Sequence, residues 1–264
     1  MKKTLITLLA LGSCSMGAEL VASWSSFDSL TDTTGDYTIA VSGQSSVTDE
    51  GVLHIQSNQI HTATVDLTSA NLTMEKGITV SITLSNAGHW GGNKPDVIWS
   101  FKTSTEEHAF ACTYMPGSDA QYPNKDNVLG FVYAGAGSNV NMTDTALPSL
   151  TGDTPVTVTL TILGNEVSMY QNGVLFQSGT FNLTKTNNSV TTEIDYTKDV
   201  VGLFSLGSWA GSSLNGRMTA DVYNLAIYNG ALSAEEVAKL VPEPTTATLS
   251  LLALCGLAAR RRRK

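Results

Sequence analysis

Residues 155–181 read PVTVTLTILGNEVSMYQNGVLFQSGTF. Val156, Val158, Leu160 and Ile162 alternate with Thr157, Thr159 and Thr161, the period-two pattern of a strand with one buried face. Gly164-Asn165 supplies a turn, and Glu166–Gln171 returns as a second strand. Asn172-Gly173 is the strongest two-residue hairpin signal, because a type I′ turn needs positive φ at both central residues. Val174–Ser178 then forms a third strand, so the stretch predicts a three-stranded meander.

The rest of the chain reads in the same way. Leu20, Ala22 and Trp24 are spaced by two and lead to Phe27-Asp28; Asp32–Asp36 is a polar turn. Short strands are expected at Tyr37–Val41, Val52–Gln56 and Ala63–Leu67, and a longer one at Met74–Leu84 with Ile78, Val80, Ile82 and Leu84 on one face. Val97–Lys102, His108–Tyr114, Val128–Tyr133, Val200–Leu206 and Met218–Tyr228 continue the series. Asn187–Asp199 and the Gly/Ser-rich Gly207–Gly216, which holds Trp209, read as loops. Strands at this frequency, with almost no helical periodicity, indicate an all-β sandwich. One short helix is expected after Ser233, where Ser233 and Glu236 have the spacing of a capping box.

Two stretches carry a family resemblance. Tyr170 to Leu175 resembles the strand–turn–strand of the central meander in laminin-G-like, concanavalin A-like jelly-roll domains. Ile227 to Val237, IYNGALSAEEV, is similar to the end of the same domains, where the last strand gives way to a short helix. The resemblance covers Glu19 to Leu240 and implies a two-sheet antiparallel jelly-roll sandwich. It also brings glycan binding into view, since that fold houses lectins and glucanases.

Both termini look like targeting segments. Met1–Ala18 has Lys2-Lys3, an apolar core and small residues, the layout of a signal peptide for signal peptidase. An alternative is a lipoprotein signal with acylation at Cys14. At the other end, Val241-Pro242-Glu243-Pro244, an apolar run from Ala247 to Ala259, and Arg260, Arg261, Arg262, Arg263 and Lys264 follow in order. This resembles the PEP-CTERM sorting signal of Gram-negative bacteria. The resemblance implies an exosortase-type processing enzyme as partner and a transient membrane helix; the positive-inside rule puts the arginines in the cytoplasm. A permanent anchor is the alternative. The domain layout is therefore 1–18 signal helix, 19–240 jelly roll, 241–264 sorting segment with a hydrophobic helix, and the localisation cell envelope, cell surface or extracellular.

Charge narrows the partners. The formal net charge is −8, and seven of the fifteen basic residues lie at the extreme termini. A nucleic-acid partner is disfavoured, because phosphate binding needs clustered Lys and Arg. Calcium or neutral sugars suit such a surface. The three cysteines, Cys14, Cys112 and Cys255, form no disulfide framework, and Cys112 reads as a buried thiol on one face with His108, Phe110 and Tyr114.

Candidate sites follow. If Val97–Lys102 and His108–Tyr114 form a hairpin, Asp96 and Met115 lie at one end, and the loops 88–96 and 116–127 come together. They carry Trp90 and Tyr122 as a sugar platform, Asn93 and Asn124 for hydroxyls, and Asp96, Asp119 and Asp126 for calcium, which wants several carboxylate and carbonyl oxygens. Glu193-Ile194-Asp195-Tyr196 resembles the first half of the laminarinase catalytic strand, but no carboxylate stands at Thr197 or Lys198, and glycoside hydrolysis needs two. His54, His61, His89 and His108 lack zinc-ligand spacing. The sequence thus predicts a non-enzymatic glycan-binding or adhesive module of the bacterial envelope. A structural surface protein with protein partners only, or a divergent glycanase, is the alternative.

Overall fold

The computed structural model of the chain describes residues 17–56, 63–89, 96–103, 110–115, 128–133, 138–140, 150–180, 184–187, 190–193, 198–208, 210 and 218–241. The expected signal helix lies outside these residues except for Gly17 and Ala18, which are not helical, and the hydrophobic helix of the tail lies outside them altogether. No helix among the described residues is long and apolar enough to cross a membrane.

The first strands are β1 (Glu19–Trp24), β2 (Ala40–Val41), β3 (Ser46–Val47), β4 (Leu53–Gln56) and β5 (Ala63–Asp66). Then come β6 (Ile78–His89), β7 (Asp96–Thr103), β8 (Phe110–Met115), β9 (Val128–Tyr133) and β10 (Ser138–Val140). The meander supplies β11 (Val156–Leu163), β12 (Glu166–Gln171) and β13 (Val174–Thr180). After it stand β14 (Thr184–Asn187), β15 (Val190–Glu193), β16 (Val201–Leu206), β17 (Met218–Asn229) and the helix α1 (Ala234–Leu240).

All of these strands but β14 and β15, which pair only with each other, build two antiparallel sheets. One runs β13-β12-β11-β6-β17-β4-β3, with β1 also on β17; the other runs β10-β9-β8-β7-β16-β5-β2. An apolar core lies between them, drawing Val80, Ile82, Leu160 and Ile227 from the first sheet and Val65, Phe101, Phe110 and Phe204 from the second. The expected antiparallel two-sheet sandwich is therefore present.

The meander forms where the alternation placed it. Asn172 and Gly173 both have positive φ, 47° and 77°, as the I′ turn requires. Its position differs from the expectation of a central element: β13 is an edge strand of the larger sheet, with Val174 and Leu175 exposed. The long strands β6 and β17 pair in the middle of that sheet instead. Length explains this, because twelve residues on each let β17 serve β4 near one end and β1 near the other along a shared side.

Three other expectations change. Leu20 does not share the buried face of Ala22 and Trp24; a register shift between Leu20 and Ala22 leaves it 41% exposed. The strand expected at Tyr37–Val41 shortens to β2, because the backbone of Tyr37 is held in the turn by Asp32. The segment Asn187–Asp199 is not all loop: β14 and β15 pair across it, in keeping with the preference of its Thr and Val residues for strands.

Local chemistry fixes several joints. Ser233 caps α1, accepting from Glu236 N while the Glu236 carboxylate accepts from Ser233 N. The helix then lies on the outer face of the larger sheet through Val237 and Leu232 against Tyr170. On that same face Ser81 Oγ and Thr159 Oγ1 are 2.8 Å apart, as are Thr83 Oγ1 and Thr157 Oγ1. Cross-strand hydroxyl pairs of this kind are how a Thr-rich face satisfies its polar groups. Cys112 faces the core with Phe110 and Tyr114, and burial pushes its thiol well above the usual range.

Asp32 is a structural carboxylate. Its Oδ1 accepts from Asp36 N and Tyr37 N, and its Oδ2 from Thr34 N and Thr34 Oγ1. Burial opposes its charge, but these bonds outweigh that and hold its carboxyl below the ordinary aspartate range. A depressed folded pKa means the turn stabilises the fold above the unfolded-state pKa, and that contribution drains away as pH falls through the folded value. Acid titration followed by urea unfolding is expected to show this pH-dependent loss in the wild type. In Asp32→Asn that part of the slope should be missing; an unchanged slope would mean other carboxylates carry it.

Candidate functional site

The hairpin on which the sugar and calcium expectations rest is present. Asp96 pairs with Tyr114, Phe101 with Phe110, and Met115 with Val128. At the same end His89 pairs with Met218, and Leu206 with both Trp99 and Ala63. The strands flanking segments 90–95 and 116–127 thus end side by side, and those flanking 57–62 and 209–217 end with them. Trp90, Asn93, Tyr122, Asn124, Asp119 and Asp126 lie outside the described residues. Asp96 is inside them and is the first residue of β7, only 2% exposed; it belongs to the strand and not to a loop. No group of three or more His, Cys, Asp or Glu side chains placed to hold a metal occurs among the described residues. Of the sorting motif only Val241 is described, as the C-cap of α1, and the carboxylate motif 193–196 is described only at Glu193, the end of β15.

The structure assembles a second group that the sequence reading did not bring together. On the outer face of the larger sheet His54 Nδ1 lies 2.7 Å from Asp221 Oδ1, with the two side chains 42% and 24% exposed. Asn86 Nδ2 donates to Asp221 Oδ2 at 2.8 Å. One strand position away, the Tyr223 hydroxyl and Ser85 Oγ are 3.0 Å apart. His54 comes from β4, Ser85 and Asn86 from β6, and Asp221 and Tyr223 from β17. One carboxylate therefore ties three adjacent strands together.

A sequence signal for this group exists. The apolar series Ile78, Val80, Ile82, Leu84 continues at Ala87, and the series Met218, Ala220, Val222 continues at Leu225. Each slips by one residue, and a slip of one within a strand means a bulge. The ladder has register shifts at both places.

No protein-family model matches the sequence, and no curated protein is similar to it. Among solved structures the chain is similar to the Trypanosoma rangeli sialidase in complex with 2,3-difluorosialic acid, at 16% identity and a TM-score of 0.56 over 84% of this chain and 32% of that one. It is similar to the binding domain of botulinum neurotoxin DC in complex with rat synaptotagmin II, at 14% identity and a TM-score of 0.55 over 84% and 51%. A third likeness, 17% identical with a TM-score of 0.48 over 86% and 100%, is to domain 4 of AbnA, a GH43 extracellular arabinanase from Geobacillus stearothermophilus, in complex with arabinotriose. The chain spans about a third of the sialidase and about half of the toxin domain. At these identities the likeness to the sialidase and the toxin domain defines a fold class only, the β-sandwich domain. It also corrects one expectation: a sialidase is among the proteins that share this architecture, so the expectation of a non-enzyme does not stand.

Proposed function

We propose that the chain is an exported glycan-binding module of the bacterial envelope, with its principal contacts at the end of the sandwich where β6, β7, β8 and β9 meet. The observation that carries this reading is the paired strand ends, Asp96 with Tyr114 and Met115 with Val128. They bring the flanks of the loops bearing Trp90, Asn93, Tyr122 and Asn124 to one place. An aromatic platform takes the C–H face of a sugar, and amides take its hydroxyls. Neighbours of the same fold class support the direction: one is a sialidase bound to a sialic acid derivative, and another, a structure of botulinum neurotoxin type C, concerns a toxin whose cell entry depends on interaction with two ganglioside molecules. In this reading signal peptidase removes Met1 to Ala18. An exosortase-type enzyme acts on the segment at Val241-Pro242-Glu243-Pro244, after a transient stay of the tail in the inner membrane.

A glycan array, with calcium and with chelator, tests the reading. Trp90→Ala is expected to weaken binding by about 1–3 kcal/mol, taking base–aromatic stacking as the nearest calibrated case, with an unchanged melting temperature. If Asp96, Asp119 and Asp126 hold calcium, the ion should raise the melting temperature by mass action, and Asp126→Ala should abolish the rise. A wild-type chain that binds no glycan would end the reading. Mass spectrometry of the surface fraction reads the processing: an intact Arg260–Lys264 terminus would make the tail a plain anchor.

A further inference from the structure

Two bulges follow one another along the β6–β17 ladder, one in each strand, and their geometry sets what the outer face presents. Between the pairs Gly88–Thr219 and Ser85–Asp221, β6 has one residue more than β17; between Val222–Leu84 and Asn224–Thr83, β17 has one more than β6. In β6 Leu84 and Ala87 are both buried in the core, so Ser85 and Asn86 both turn outward. In β17 Val222 and Leu225 are both in the core, so Tyr223 and Asn224 both turn outward. A regular ladder would expose every second residue. The bulges add one outward side chain on each strand; Asn86 reaches Asp221, and Ser85, itself fully covered, meets the Tyr223 hydroxyl.

This arrangement costs something. Asn86 has φ of +52°, a left-handed conformation that a non-glycine residue adopts at some expense. Its backbone is fixed there by the bond from Asn86 N to Gly152 O, 3.0 Å, while one N–H of its side chain donates to Asp221. Bulges that re-aim side chains are over-represented next to functional sites.

We propose that His54, Asn86, Asp221 and Tyr223 form a contact site for adjacent hydroxyl groups of a neutral sugar, made of residues other than those of segments 90–95 and 116–127. The inference rests on the glycan-binding reading and gives it a second address. A carboxylate has about four lone-pair sites. In Asp221 one oxygen accepts from Asn86 and the other faces His54, which leaves acceptor capacity on a side chain still open to solvent. The Asn86 amide and the second ring nitrogen of His54 add a donor–acceptor pair on either side. A hydroxyl is both donor and acceptor, so two neighbouring hydroxyls match this alternation. The Tyr223 ring, part-exposed and pinned by Ser85, stands beside them as an apolar wall. Charge selects against other ligands. With one carboxylate the patch lacks the oxygen donors calcium wants, and an acidic sugar would meet Asp221 head on.

The test uses the full-length chain on an array of gluco-, galacto- and manno-configured neutral oligosaccharides and oligouronates, then titration with the strongest neutral binder. Asp221→Asn and Asn86→Gly are each expected to weaken that binding about tenfold or more, as loss of a hydrogen bond to a charged group does. Asn86→Gly also separates binding from folding. Glycine relieves the positive-φ strain but gives up the bond to Asp221 and frees the unfolded backbone, so these opposing effects should leave the melting temperature little changed while affinity falls. Wild-type-like affinity in both variants, with Trp90→Ala still damaging, would overturn this site and leave the glycan reading standing. Preference for the oligouronates would overturn the neutral-sugar assignment. No binding to any glycan by the wild type would end the underlying reading and this site with it.

Discussion

Replacing Phe101 by alanine is expected to lower the unfolding free energy by about 3–5 kcal/mol, the range of aromatic truncations in a closed core. Phe101 sits on β7 with no exposed surface, in a three-ring group. Its centroid is 5.1 Å from that of Trp99 and 5.2 Å from that of Phe204, both tilted, while Trp99 and Phe204 lie 6.2 Å apart and nearly stacked. The tilted and offset arrangements suit the ring quadrupoles and add about 0.5–1.5 kcal/mol per pair beyond area burial. β8 and β16 flank β7 on either side, so little freedom remains for the cavity to collapse. Urea unfolding of wild type and variant checks this; a loss under about 1 kcal/mol would mean the site refills, against the cavity rule. Trp99 offers a contrast. Among the described residues its buried Nε1 has no hydrogen-bond partner, and an unmet donor costs about 1–3 kcal/mol. Trp99→Phe removes that donor along with part of the ring, and its loss is expected to be clearly smaller than that of Phe101→Ala.

Gly77→Ala is the second large effect, expected at about 2–5 kcal/mol from backbone strain and overpacking together. Gly77 has φ of +99° where the Met74–Gly77 turn enters β6. A Cβ built there would lie 2.5 Å from Ala231 N and 3.1 Å from Gly230 C. Both are backbone atoms and cannot swing aside, and the approach is held by the 2.9 Å bond from Gly230 N to Gly77 O. Thr79 locks the same crossing, its hydroxyl donating to Gly230 O and accepting from Leu232 N. Moving the chain at Gly230 would therefore disturb the approach to α1 as well. Gly164→Ala is the control: its φ is also positive, +58°, but a Cβ there meets open space. It should show the conformational part alone, about 1–2 kcal/mol. Equal losses at the two glycines would refute the clash.

The candidate site was only partly legible. A hairpin with Asp96 and Met115 at one end followed from two alternating runs and the short distance between them; the register that sets Asp96 opposite Tyr114 did not. The His54–Asp221 pair did not, because its members are 167 residues apart and nothing local links β4 to β17. The phase slips at Asn86 and Tyr223 were visible as broken alternation. A broken alternation in one chain does not say which strand stands opposite, so it could not show that the two bulges share one patch.

What the sequence by itself determined was local. Strand faces in the meander came from a side-chain period of two, the Asn172-Gly173 turn from its tolerance of positive φ, and the α1 start from the reach of Ser233 to Glu236. Each depends on residues within a few positions, and short-range sterics and hydrogen bonds decide it. Only the tertiary structure decided that β6 and β17 are central and β13 an edge, that Leu20 turns outward, and that Asp96 is buried. Those outcomes depend on which strands pair, and strand order is set by burying every apolar face at once. The position of one Asp or His therefore follows from the whole sandwich and not from its neighbours in the chain.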